Sequence, residues 1–200
     1  MAKVAGEQCR CFFAVWPDAV AATALYELGR QAQADCGGRP MRRDTLHITL
    51  AFLGDIEAGR VADAKRVAET IVVSPFDLML DRLGYWRHNR ILWAGGVSSR
   101  LTFPKGTGRH EVAVPSNARD GAQPHTFLAE ALGDGLRAAG FALDARPFVA
   151  HLTLLRDAHC TQVLPLPQPV VWPVREFVLA QSRLSRDGAR YDIVGRWPLR

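Results

Sequence analysis

The sequence predicts an α+β fold built as two similar lobes, each an antiparallel sheet with helices on its outer face, forming one bilobal domain over residues 1–200. Three observations carry this expectation. Strand-like and helix-like periodicities follow one another in the order β-α-β-α-β-β and then, after a break, α-β-β-β. The short pattern His-x-Thr-Leu occurs twice, at His47 and at His151, 104 positions apart. Each copy lies in an apolar, strand-like run with a helical pattern beside it, so the two halves read as variants of one unit.

The elements follow in chain order. Residues 10–16, RCFFAVW, are aromatic and β-branched and stop at Pro17, which suits a strand. A helix is expected next: Pro17 and Asp18 fit its first turn, Ala21, Leu25 and Leu28 share a face, and Gly37-Gly38 ends it. Residues 45–53 form the first motif strand. Gly54-Asp55 then turns the chain into a second helix, with Val61, Ala64, Ala68 and Ile71 at helical spacing. From Phe76, Phe76, Leu78 and Leu80 alternate with Asp77, Met79 and Asp81, as in a half-buried strand, and RILWAGGV is expected to be its antiparallel neighbour. Residues 98–124 carry Gly, Pro, Ser, Asn and charge without a period, and read as a long surface insertion. A helix resumes at Thr126, with Leu128, Leu132 and Leu136 on one face and Gly140 at its C-terminal end. Residues 148–155 form the second motif strand. Two last strands are joined through Asp187-Gly188, a hairpin signal.

Composition limits the functional classes. No apolar run is long enough to cross a membrane, and the N-terminus lacks the features of a secretory leader, so the cytoplasm is the expected location. Cys9, Cys11, Cys36 and Cys160 show no paired CxxC spacing; they are expected to be reduced thiols, with no zinc site. The formal net charge of +5 favours an anionic partner, phosphate being the commonest.

Alternation along a strand places His47, Thr49 and Ala51 on one face and Ile48, Leu50 and Phe52 on the other, which is core. In the second motif His151 and Thr153 share a face opposite Leu152 and Leu154. With the motif strands facing a central cleft, two His and two Thr line it. Histidine exchanges protons near neutral pH, and two of them supply an acid and a base together. Threonine hydroxyls donate to phosphoryl oxygens without adding charge. Hydrolysis of a cyclic phosphodiester needs these parts: a base to activate water, an acid for the leaving oxygen, and donors for the remaining oxygens. A zinc reading requires further ligands at metal spacing, and none is found; no metal or other cofactor is expected. His88, His110, His125 and His159 are expected at the surface.

With both motifs placed, the chain resembles the two-histidine phosphoesterases, and most closely the RNA 2',3'-cyclic phosphodiesterases also called 2'-5' RNA ligases. The resemblance runs over most of the length, through RCFFAVWP, LHITLAFLGD, ILWAGG, RPFVAHLTLLRD and FVLAQSRLSRDGARYDIVGRWPL. It implies hydrolysis of an RNA 2',3'-cyclic phosphate end to a 2'-phosphomonoester without metal; separately from the resemblance, a monomer is expected. It further implies that His47 is the proton donor to the leaving 3'-oxygen and His151 the proton acceptor that activates water, with Thr49, Thr153 and Arg156 as phosphate ligands. Strict alternation turns Arg156 away from His151; either the strand ends, twists or bulges there, or Arg156 is a solvated charge. Arg42, Arg43, Arg87 and Arg90 lie in or beside segments expected to border the cleft, as an RNA rim. Two departures stand out: the insertion at 98–124, and Ala150 where the family often has Pro. Two other classes of function use the same cleft: a phosphodiesterase for another small cyclic phosphate, and a non-catalytic binder of RNA ends or nucleotides.

Overall fold

The structure, a computed structural model, describes residues 7–96, 99–101, 123–162, 165–166, 168–185 and 188–200. The first strand, β1 (Gln8–Val15), leads into α1 (Ala19–Cys36), whose N-terminus is capped by Asp18 accepting from the Ala21 amide at 2.8 Å and which stops at Gly37, φ 61°. The short β2 (Arg39–Pro40), a 3₁₀ turn at Arg43–Thr45, β3 (Ile48–Glu57) and α2 (Val61–Glu69) follow. Three strands come next, β4 (Phe76–Leu80), β5 (Arg82–Trp86) and β6 (Ile91–Gly95), then β7 (Ser99–Leu101). The second half holds α3 (Pro124–Ala138), β8 (His151–Arg156), β9 (Val170–Val174), β10 (Glu176–Ser185) and β11 (Gly188–Pro198). The remainder of the expected insertion, and Asp187 of the expected hairpin turn, lie outside the described residues; β10 and β11 do pair antiparallel down to Ser185 opposite Gly188.

The fold is α+β and its strand pairs are antiparallel, as expected. One expectation is corrected: the two motif strands do not face each other from separate sheets. They are neighbours in one eight-stranded sheet, ordered β11-β10-β1-β3-β8-β6-β5 with β2 also on β8. They meet at a single paired position, Ile48 opposite Leu152. The sheet therefore has two four-stranded halves that touch edge to edge through the motif strands. A second sheet, β7-β4-β9, stands apart. That corrects the expected partner of β4. Phe76–Leu80 pairs with β7 and β9, whereas β6 pairs with the unforeseen β5 and with β8. The chain changes sheet at Asp81, whose amide donates to the Gly95 carbonyl at 3.0 Å.

The helices cross over between halves. Helix α1, encoded beside the first motif, packs on β8, and α3, encoded beside the second, packs on β3. Leu25 of α1 and Leu128, Leu132 and Leu136 of α3 meet Phe76, Leu78, Leu80 and Trp172 of the small sheet and Ile48, Leu50, Leu152 and Leu154 of the motif strands in one core. The other side of the large sheet carries a small apolar cluster, Phe12, Ala14 and Ala180, with Trp16, Tyr191 and Ile193 against it.

Three smaller expectations are also corrected. The second motif strand begins at His151, not at residue 148. Helix α3 begins at Pro124, two residues early, so His125 is packed into the interior, 5% exposed, and burial lowers its pKa to about 4. Cys36 and Cys160 form a disulfide joining the end of α1 to the segment after β8; Cys9 and Cys11 are free and buried. Pairing of β2 with β8, which sets Arg39 opposite Arg156, brings these distant cysteines together, and no sequence spacing announces it. Among the described residues no helix is long and apolar enough to cross a membrane.

Candidate active site

Both motif strands break their alternation immediately after the Thr. On β3 the pairing with β1 shifts so that Ala14 faces Thr49 and Phe13 faces Ala51, leaving Leu50 extra. On β8 the pairing with β6 shifts so that Trp93 faces Thr153 and Leu92 faces Leu155, leaving Leu154 extra. A bulge keeps two successive side chains on the same side. Leu50 and Ala51 are both buried, as are Leu154 and Leu155. The next residue then returns to the face of the His. On β8 this residue is Arg156, which lines the cleft with His151 and Thr153; of the two readings the sequence left open, the strand bulges. On β3 it is Phe52, which was expected in the core and is instead 52% exposed on the cleft wall.

The cleft has a volume of about 1810 Å³, and its wall includes His47, Thr49, His151, Thr153, Arg156 and Arg42. Arg43 is not on that wall; it donates to the Thr23 hydroxyl at 3.4 Å. Nor are Arg87 and Arg90, and Arg90 lies against Asp157 and His159. Arg10, Arg39, Arg137 and Arg146 line the cleft without having been singled out. Arg10, Arg39, Arg42, Arg137 and Arg146 each hold a carboxylate: Asp55, Asp157, Asp44, Asp134 and Asp144 respectively. Arg156 has no such partner among the described residues, and its charge acts on His47, His151 and Tyr191.

The two histidines are held in matching ways. His47 Nδ1 lies 2.7 Å from the Thr45 carbonyl oxygen, and His151 Nδ1 lies 2.8 Å from that of Val149. A carbonyl only accepts, so each Nδ1 carries the hydrogen and each Nε2 is left for the cleft. Their surroundings differ. His47 is stacked on Trp16 at 4.9 Å between ring centroids, with Phe12 at 4.9 Å and Tyr191 at 5.1 Å. Burial pushes its pKa down to about 4; the Thr45 carbonyl opposes the shift, and Arg156 and His151 add to it. His151 meets one aromatic neighbour, Trp86, edge to face at 4.6 Å. Its pKa is lowered first by burial and also by Arg156, against the Val149 carbonyl. Burial raises the Tyr191 pKa, opposed by Arg156 and Arg42.

The aromatic enclosure was missed at the level of sequence. Its signal was the alternation Phe12, Ala14, Trp16 along the first strand, which puts two aromatic side chains on the face away from the main core. His88, expected at the surface, is exposed and lines the cleft. Among the described residues no group of three His, Cys, Asp or Glu side chains is spaced to hold a metal ion. Chemically, the arrangement offers two available imidazole nitrogens, two hydroxyls and one unneutralised guanidinium in one cleft. It can bind an anion and move protons on and off it.

Residues 15–93 match the family described as LigT like Phosphoesterase. The chain is 32% identical over 165 residues to an RNA 2',3'-cyclic phosphodiesterase of Escherichia coli (strain K12), covering 81% of this chain and 80% of that one. It is 27% identical over 195 residues to an RNA 2',3'-cyclic phosphodiesterase of Thermus thermophilus, covering 96% and 90%. Among solved structures, that of E. coli LigT complexed with 3'-AMP superposes with a TM-score of 0.79 at 29% identity, over 96% of this chain and 99% of that one. Apo E. coli LigT gives 0.77 at 29% identity, over 97% and 99%.

Proposed function

The chain belongs to the LigT-like phosphoesterases, and from that premise we propose that it hydrolyses the 2',3'-cyclic phosphate at the end of an RNA strand to a 2'-phosphomonoester, acting as a monomer and without metal. The observation that carries the reading is Arg156: the bulge at Leu154 turns a cation without a carboxylate partner onto the face that holds His151 and Thr153.

In this mechanism the cyclic phosphate lies between the motif strands, with Arg156, Thr49 and Thr153 on its non-bridging oxygens. His151 has Nδ1–H committed to the Val149 carbonyl, so its Nε2 lone pair takes a proton from the attacking water. As the new P–O bond forms, the bond from phosphorus to the 3'-oxygen breaks. His47, doubly protonated, keeps Nδ1–H on the Thr45 carbonyl and gives the Nε2 proton to the leaving oxygen. One proton is taken and one given, and exchange with solvent resets the pair. Burial and Arg156 both disfavour the imidazolium in the free enzyme. The bound phosphate anion offsets the Arg156 charge and draws a proton onto His47, so the acid is charged in the complex.

A second reading, a phosphodiesterase for a small cyclic phosphate, is favoured by one observation: the other arginines of the wall named above already hold carboxylates, which leaves little free positive charge for a strand. The test is product analysis. An oligonucleotide and a mononucleotide, each with a 2',3'-cyclic end, are incubated with wild-type, His47→Ala and His151→Ala protein, with and without EDTA. The proposal expects 2'-phosphate as product, undiminished by EDTA, with each variant slowed at least about a hundredfold. A 3'-phosphate product, metal-dependent turnover or near-wild-type variants would overturn it.

A further inference from the structure

We propose that Trp86 is a positioning residue for His151, holding the imidazole so that its Nε2 faces the cleft. The role rests on the two-histidine reading above, but the ring placement it describes can be measured without turnover.

His151 is weakly held by its own strand. It is the first residue of β8, and Val149 and Ala150 before it lie outside the ladder. Its partner across the strand pair is Gly95, which offers no side chain to pack against. The contact from Nδ1 to the Val149 carbonyl fixes one atom of the ring and leaves rotation about that contact open. Trp86 meets the ring at 4.6 Å and 68°, and it also lines the cleft, so it bounds the imidazole on the side where no cross-strand residue does.

Trp86 is itself supported from below. Trp93 lies over two glycines of the same face: Gly84, its own cross-strand partner, and Gly95. A Cβ at Gly84 would lie 2.1 Å from Trp93 Cζ2, and one at Gly95 2.6 Å from Trp93 Cζ3. Only glycine at both positions lets this indole lie flat. Trp86 packs on it at 5.4 Å. The order is thus two bare backbone positions, a flat indole, a second indole, then the histidine. The Trp93 Nε1–H is buried without a partner among the described residues, a cost the ring stack must offset. The charged and titratable groups around His151 are Arg156 on its own strand, His47 across the paired edge, and His88 behind Trp86 at 6.5 Å from it.

The experiment compares Trp86→Phe, Trp86→Leu and Trp86→Ala, with Gly84→Ala as a variant that acts only through Trp93. Two readouts are taken: the tautomer and titration midpoint of His151 by nitrogen NMR of the imidazole, and kcat and KM on the cyclic-ended oligonucleotide. Loss of Trp86 exposes the ring, so the His151 midpoint rises toward the ordinary histidine value and the Nδ1–H tautomer is no longer dominant. kcat falls by about tenfold to a hundredfold while KM stays within about twofold. Trp86→Phe restores most of both, and Gly84→Ala moves both in the direction of Trp86→Leu. An unchanged His151 midpoint and tautomer in the Leu and Ala variants would overturn the proposal, whatever the kinetics. If the wild type fails to turn over the cyclic phosphate, the proposed function fails, and the NMR readout still decides the role of Trp86. If Trp86→Ala does not fold, the Phe and Leu variants carry the comparison.

Discussion

Replacing Arg156 with Gln removes a cleft-lining cation that has no carboxylate partner among the described residues while keeping a side chain of similar reach. The residue is exposed and makes no ion pair among the described residues, so its loss should leave the melting temperature nearly unchanged. Its value lies in the bound state. A hydrogen bond from a charged donor contributes about 1.5–3 kcal/mol net, and a full charge about 4 Å from the phosphate at an effective dielectric of ~20 sets a gross ceiling near 4 kcal/mol. A net loss of about 2–3 kcal/mol corresponds to a fall of roughly 30- to 150-fold in kcat/KM. A second effect has a fixed sign. Arg156 lowers the pKa of both His47 and His151, so its removal raises both. The acid limb of the pH profile, where the base becomes protonated, should then move to higher pH. The assay is kcat/KM on a cyclic-ended oligonucleotide from pH 4 to pH 8, for wild type, Arg156→Gln and Arg156→Lys. Lys should recover part of the charge effect but not the forked contact. A change in kcat/KM below about threefold with an unmoved acid limb would refute the placement of Arg156 on the phosphate.

Leu50→Ala and Leu154→Ala should each destabilise by roughly 2–5 kcal/mol in chemical denaturation, since both side chains are buried at the bulges. Thr49→Val and Thr153→Val should lower kcat/KM far more than stability, and the opposite pattern would mean the strand faces are reversed. His125 is neutral when buried, with a pKa of about 4 in the folded chain against 6.5 unfolded, so its contribution is fully present above pH 6.5 and lost as pH falls through the folded value. The loss between those limits is on the order of 3 kcal/mol; His125→Gln should flatten the decline, and an identical decline would refute its origin. Reducing the Cys36–Cys160 bond, or replacing both residues with Ser, should cost about 2–5 kcal/mol, because it releases a loop of 124 residues in the unfolded chain. If the cleft binds a strand, the oligonucleotide should exceed the mononucleotide in kcat/KM at about 50 mM salt and lose that advantage by about 300 mM; equal rates at low salt favour the small-molecule reading.

Much of the fold could be read from periodicity, because the strongest signals came from faces that a single core buries. Leu128, Leu132 and Leu136 on α3, and Phe76, Leu78 and Leu80 on β4, kept their period because each packs one side only. Of the missed elements, β9 buries Trp172 and Val174 in alternation but lies in a Pro-rich run that reads as a connector, and the others bury little or carry no period. Strand β2 is two residues long, and β5 contains Gly84 under a tryptophan. Partner choice was harder still. Alternation says that Phe76–Leu80 is a strand but not which strand lies beside it, and the sheet change at Asp81 depends on tertiary contacts. The disulfide depends on the pairing of β2 with β8, which no local pattern records.

The two motif residues of each strand were legible because they precede the bulge, where a period of two still holds. Beyond it the same reasoning reversed every face, which is why Arg156 looked misplaced and Phe52 looked like core. The two reversals have one cause and occupy the same place, five residues after each His. The repeated unit is therefore longer than His-x-Thr-Leu: it includes an extra residue at the Leu and a side chain returned to the cleft. The shared part sets two Nε2 atoms and two hydroxyls in like positions, so by itself it has no direction. The difference lies in what returns. On β8 it is a guanidinium, and on β3 it is a phenyl ring with half its surface exposed. His47, on the phenyl side, is enclosed by three aromatic rings; His151, on the guanidinium side, meets one. A cleft with like proton carriers but a charged side and an apolar side can accept an asymmetric substrate in one orientation, the asymmetry that the proposed acid and base roles require.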